Sequence, residues 1–167
     1  MAYNRNTIKL GIKSVPQPDR SFRILQAISK AFFMQLATAG ALIIHSRKLL
    51  LAFSNNKHCY YLPGGKIGAG EAADEALCRE LAEELNADVL PAELEFYTHI
   101  SAPAFGERAG VIMEQDCFFV NKSITPVASA EIGGLAYFSL EEYLLQRNKA
   151  PGAILILQQL KKEGLID

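Results

Sequence analysis

One stretch dominates what this chain can become. Leu62-Pro63-Gly64-Gly65-Lys66-Ile67-Gly68-Ala69-Gly70-Glu71 packs four glycines into ten residues and leads straight into Ala72–Leu85, which contains neither Gly nor Pro. The second run is rich in Ala, Leu and Glu, all strong helix formers, so a helix of roughly four turns is predicted there. At about 100° per residue Glu80, Glu83 and Glu84 share one face, and Leu77, Cys78, Leu81 and Leu85 form the adjoining apolar stripe. Three carboxylates are thereby set at the rim of a core.

Like charges at that spacing destabilise an exposed helix by about 0.2–0.5 kcal/mol per pair, and more when half buried. Arg79 lies on the flank of the same helix, too far round to neutralise all three. A hard divalent cation is the expected partner: Mg²⁺ or Mn²⁺ takes oxygen ligands, keeps several waters, and is usually held by a few carboxylates together with a substrate phosphate. Gly64, Gly65, Gly68 and Gly70 suit such a substrate, because a backbone without side chains approaches closely and offers a carbonyl ligand or amide donors.

The spacing Gly65, five residues, Glu71, seven residues, Arg79-Glu80-Leu81, one residue, Glu83-Glu84 resembles the signature of the Nudix hydrolases. That family, of which MutT-like enzymes are one kind, cleaves nucleoside diphosphates linked to another moiety. The resemblance implies an α/β/α sandwich around a central mixed β-sheet. It implies Gly65, Glu80, Glu83 and Glu84 as metal ligands, with Glu80 alternatively the base that activates water, and Glu71 with Arg79 as a structural ion pair. Asn86 stands where the family pattern has Gly; the position wants a left-handed backbone, which Asn tolerates best after Gly. The likeness is specific over 62–87, looser from 36 to about 145, and absent from 1–33.

Length and composition agree with one globular domain. The chain has 167 residues, 50% of them hydrophobic, and a net charge of -1, which gives no electrostatic case for a nucleic-acid polymer as partner. No apolar run reaches the 18 residues of a membrane-spanning helix. Cys59, Cys78 and Cys117 are odd in number and lack metal-type spacing, which points to a reducing cytoplasm. Residues 1–33 carry six basic residues against Asp19 alone, giving this arm +5 and the remainder -6. The arm is therefore separated as a basic N-terminal extension from a catalytic domain over 34–167. Ser21 is expected to cap a short helix through Phe33 that packs on the core or on a second copy, forming a homodimer; an organelle presequence is the alternative.

Strands are expected at 35–44, 48–53, 60–63, 94–100, 111–121 and 131–138, a helix capped by Ser139, and a last helix at about 152–163. Mixed strands among helices mean a layered α/β domain. His45, His58 and His99 are scattered and are assigned packing or surface roles.

Outside the glycine-helix stretch the notable acid is Glu131, six residues before Tyr137, where many Nudix enzymes place a loop acid near the metal; it is a further candidate ligand or base. Pro103-Ala104-Phe105-Gly106-Glu107 loosely resembles the loop marker of ADP-ribose pyrophosphatases. Tyr61, Phe105 and Glu107 are the candidate substrate-binding residues, with Tyr60 and Phe118 as further aromatic faces for a base. The compact chain favours a small-molecule nucleotide, a nucleoside triphosphate or a damaged one, over ADP-ribose or a nucleotide sugar. A Nudix domain that senses a nucleotide without cleaving it is the third reading.

Overall fold

The computed structural model of the protein describes residues 34–167. The expected helix from Ser21 to Phe33 lies outside the described residues. In chain order the elements are β1 (Met34–Leu42), β2 (Ile44–His45), β3 (Lys48–Ser54), β4 (Cys59–Tyr61), β5 (Gly64–Lys66), α1 (Ala73–Leu85), a 3₁₀ turn (Pro91–Glu93), β6 (Leu94–Pro103), β7 (Val111–Val120), β8 (Ile132–Phe138), α2 (Leu140–Leu144) and α3 (Pro151–Lys162).

The strands divide into two sheets. One has the order β5-β1-β7-β6; the other runs β2-β3-β4, with β8 also paired to β3. The first is mixed, since β1 and β7 are parallel while β5 on β1 and β6 on β7 are antiparallel. The expected single strand over 35–44 breaks at Ile43, and its two parts join different sheets. The expected strand over 60–63 ends at Tyr61 as β4, and the start of the glycine stretch, expected as a loop, is the strand β5 beyond Leu62-Pro63. Pro63 has no N–H to give a ladder, and its carbonyl accepts from Ala41 N at 2.8 Å, which carries the chain across to β1.

Helices cover the mixed sheet on both faces. Leu77, Leu81 and Leu85 of α1 pack with Ala39, Ala41 and Phe118 in one cluster of buried residues. Ile156, Leu157 and Leu160 of α3 pack with Ile100 and Cys117 in the other. Neighbours on β7, Cys117 and Phe118, serve opposite cores because successive strand residues face opposite ways. Each fully buried Leu contributes about 1.5–3 kcal/mol, so α1 is anchored by three such side chains and its remaining residues are free for chemistry.

The helix ends follow local rules. Asn86 is left-handed at φ 50°, ψ 34°, and its N–H bonds Leu81 O, as the Gly-to-Asn departure requires. Ser139 Oγ accepts from Glu142 N at 3.3 Å while Glu142 Oε2 accepts from Ser139 N at 2.9 Å, a reciprocal cap. Among the described residues no helix is long and apolar enough to cross a membrane.

Candidate active site

The glycines do their work chiefly by lacking side chains. Gly64–Lys66 is itself a strand, paired in the register Thr38 with Lys66, Ala39 with Gly65 and Gly40 with Gly64. Gly64 has φ +129°, and a Cβ there would collide with Ala39 O. At Gly65 a Cβ would fall 2.5 Å from both carboxylate oxygens of Glu80. The bare strand is what lets α1 bring its acids against the main chain.

The three helix acids end in three different environments. Glu84 is 3% exposed, and its Oε2 accepts from Gly64 N at 2.9 Å. Burial pushes its carboxyl up to about 7, partly opposed by that hydrogen bond and reinforced by repulsion from Glu80, Glu131 and Glu83. Glu80 is mostly covered and lies over Gly65. Glu83, at the outer edge of the same face, has 58% of its side chain in solvent.

Arg79 reaches further than its flank position suggests. It forks onto Glu71, Nε to Oε1 and Nη2 to Oε2 both at 3.0 Å, and Nη2 also donates to Lys66 O at 3.1 Å. Its Nη1 donates to Glu80 Oε1 at 2.7 Å and stands 3.8 Å from Glu83. A long stem with five guanidinium donors can serve acids on both sides at once. The fork, with Gly68 N donating to Glu71 Oε2 at 2.8 Å, holds the Glu71 carboxyl below the usual carboxylate range.

Glu131 is brought in by long-range contacts. The C-terminal carbonyls of α1 need donors, and the segment before β8 supplies them: Val127 N to Leu85 O and Ser129 N to Glu84 O, both at 2.9 Å. Asn55 N donates to Glu131 O at 3.2 Å, beside a bulge where Ser54 pairs with Ile132. Glu131 therefore lines one cleft with Glu84, close enough for their charges to repel.

That cleft has a volume of about 420 Å³, within the range of small-molecule sites. Gly64, Gly65, Glu80, Glu84, Glu131 and Tyr61 line it. Burial first, then the Glu84 charge, pushes the Tyr61 hydroxyl up to about 12. Phe105 and Glu107 also line it, and Glu107 stands 3.5 Å from Lys57 and 4.0 Å from Lys66. Tyr60 and Phe118 do not line it: Tyr60 packs on Phe53 and Phe138, and Phe118 meets Phe96 edge-on under α1. Lys57, Thr38 and Gln115 line it without having been singled out in the sequence. Lys66 follows Gly65 directly and was the one lining cation within reach of sequence reasoning.

The donor set suits a hard cation. Among the described residues no three His, Cys, Asp or Glu side chains close around one point, because Glu80 turns to Arg79, Glu84 to Gly64, and Glu83 to solvent. Mg²⁺ needs no such cage, since it keeps several waters and takes one or two carboxylates plus substrate oxygens. A buried carboxylate among like charges, beside main-chain oxygens, is chemically matched to it.

A sequence model of the NUDIX domain matches residues 34–160. No curated protein matches the sequence. Solved structures resemble the fold. A MutT NUDIX hydrolase from Burkholderia pseudomallei is 21% identical, covering 76% of this chain and 98% of its own, with TM-score 0.63. The NUDIX domain of Shewanella oneidensis NrtR, complexed with ADP ribose, is 20% identical over 87% of this chain and 99% of its own, TM-score 0.59. The E. coli dihydroneopterin triphosphate pyrophosphohydrolase is 14% identical over 77% and 95%, TM-score 0.57.

Proposed function

The chain belongs to the Nudix family, hydrolases acting on diphosphate bonds, and on that premise we propose that it is a Mg²⁺- or Mn²⁺-dependent pyrophosphohydrolase of a small nucleotide, by preference a nucleoside triphosphate or a damaged one. The observation that carries this reading is Glu84, a nearly sealed carboxylate held on Gly64 N with Glu80 and Glu131 close enough to raise its proton affinity. Like charges are gathered where a fold seeking stability alone would put a Leu.

Glu80, Glu83 and Glu84 with the Gly65 carbonyl are the residues that would hold the cation. When bound, it offsets phosphate charge and lowers the pKa of its water. The chain's own part is orientation and proton transfer: water attacks phosphorus, the bridging P–O bond breaks, and Glu80 or Glu131 accepts the water's proton. Glu71 and Arg79 keep the glycine strand in register with α1. Residues 34–167 form the catalytic domain, and 1–33 are a basic extension by composition. Three free cysteines, two of them buried, support a reducing compartment such as the cytoplasm.

A second reading, ADP-ribose or a nucleotide sugar, is favoured by one feature: the Pro103–Glu107 loop reaches the cleft, where Glu107 meets Lys57 and Lys66. A panel of triphosphates, ADP-ribose, nucleotide sugars and dinucleoside polyphosphates separates the two. With Mg²⁺ the protein should release nucleoside monophosphate, and Glu84→Gln should slow release by at least about a hundredfold. Full activity in Glu84→Gln and Glu83→Gln would overturn the assignment. Binding without turnover on the whole panel would favour a sensing domain instead.

A further inference from the structure

Gln115 is a buried polar side chain with no assigned task. It is 7% exposed and forms part of the cleft lining from strand β7. Among the described residues no hydrogen bond ends on its carboxamide; apart from the strand ladders, the bond to this residue runs from Cys117 Sγ to its main-chain oxygen. Every fully sealed side-chain nitrogen or oxygen there has a partner, so the exposure this carboxamide keeps is toward the cleft. Its strand neighbour Thr38 gives its hydroxyl to Glu114 O at 3.4 Å, and Leu62 beside Gly40 is apolar. A group with two donors and one acceptor in such a setting is poorly placed unless something else completes it.

The fold makes room for this amide. A Cβ at Gly40 would fall 2.9 Å from Gln115 Nε2 and 3.0 Å from its Cδ, so the carboxamide lies flat on bare main chain of β1. Gly40 in turn pairs with Gly64, so the carboxamide lies about one strand spacing, roughly 5 Å, from the glycine strand, in the cleft that Glu80, Glu84 and Lys66 also line.

We propose that Gln115 reads the base of the nucleotide, pairing its carbonyl and amino group with a purine edge that presents an amino donor beside a ring-nitrogen acceptor, as adenine does. A carboxamide pairs with that edge in two parallel hydrogen bonds. An ionised phosphate offers acceptors alone and leaves the carboxamide oxygen without a donor. The inference rests on the nucleotide reading of the site and deepens it.

Calorimetric titration in Mg²⁺ with AMP and with purine riboside 5′-monophosphate, which differs only in lacking the amino group, tests it. The wild-type protein should bind AMP at least about tenfold more tightly. Gln115→Leu should bind both equally, at the weaker level, and Gly40→Ala should lose the preference too by displacing the amide. Melting temperature separates a reader from a strut: Gln115→Leu should melt no lower than wild type, because Leu needs no partner there. Equal binding of the two compounds by the wild type, or a Gln115→Leu variant that melts several degrees lower while still preferring AMP, overturns the inference. Equal binding alongside hydrolysis of the substrate panel removes base reading alone. Neither binding nor hydrolysis removes base reading and the hydrolase together.

Discussion

Replacing Glu84 with Gln should make the metal-free protein more stable at pH 8 and leave it nearly unchanged at pH 4.5. Burial raises the folded-state carboxyl from 4.5 to about 7. Between those values the native state holds a proton that the unfolded chain has released, so stability falls as pH rises through this window and the loss is complete above about 7. At 1.36 kcal/mol per unit, ionised Glu84 costs the apo fold about 3 kcal/mol. Gln keeps an oxygen for Gly64 N, matches the protonated acid in shape, and never ionises. For a domain of this size the difference corresponds to roughly 5–10 °C in Tm at pH 8. Thermal denaturation of both proteins in chelator across pH 4.5–8 reads it directly. Adding Mg²⁺ at pH 8 should then raise the wild type by more than the variant, since the ion binds only the folded, ionised site. A variant less stable than wild type at pH 8, or an offset that does not change with pH, would mean that Glu84 is an ordinary satisfied carboxylate and that no strain is held there for a cation.

Three further outcomes can be measured. Gly65→Ala sets a methyl group against the Glu80 carboxylate; activity should fall at least about tenfold while Tm drops only modestly, because Glu80 can swing aside but no longer lies over the strand. At the left-handed cap, Asn86→Gly should be neutral or stabilising by up to about 1 kcal/mol, and Asn86→Val destabilising by about 1–2 kcal/mol, read by urea denaturation. His99 bonds Asp116 at 2.7 Å and Glu114 at 2.9 Å, contacts that raise its pKa in that order. Its contribution to stability is therefore present below the unfolded value near 6.5 and lost as pH rises through the folded one. His99→Gln should erase that pH-dependent component in the same denaturation series, and a wild-type curve identical to the variant's would refute the pairing.

How much of this was legible without coordinates follows from the range of each interaction. Helix α1, its apolar stripe of Leu77, Leu81 and Leu85, and the left-handed turn at Asn86 are consequences of local periodicity and backbone sterics, and the chain states them outright. The likeness of Gly65, Glu71, Arg79, Glu80, Glu83 and Glu84 to a known signature was equally local. What periodicity could not do was tell Glu83 from Glu84. Both lie on one helix face, yet one is in solvent and the other nearly sealed, because only the second meets β5 and the segment at 127–131. Tertiary structure alone divided the strands between two sheets and turned Tyr60 and Phe118 away, whereas Glu131, already marked by the family likeness, reaches the cleft through bonds to the end of α1. Tertiary structure also set Gln115 across β1 from Lys66. Those juxtapositions join residues dozens of positions apart, where loop closure and strand pairing decide proximity and no spacing in the sequence records the choice.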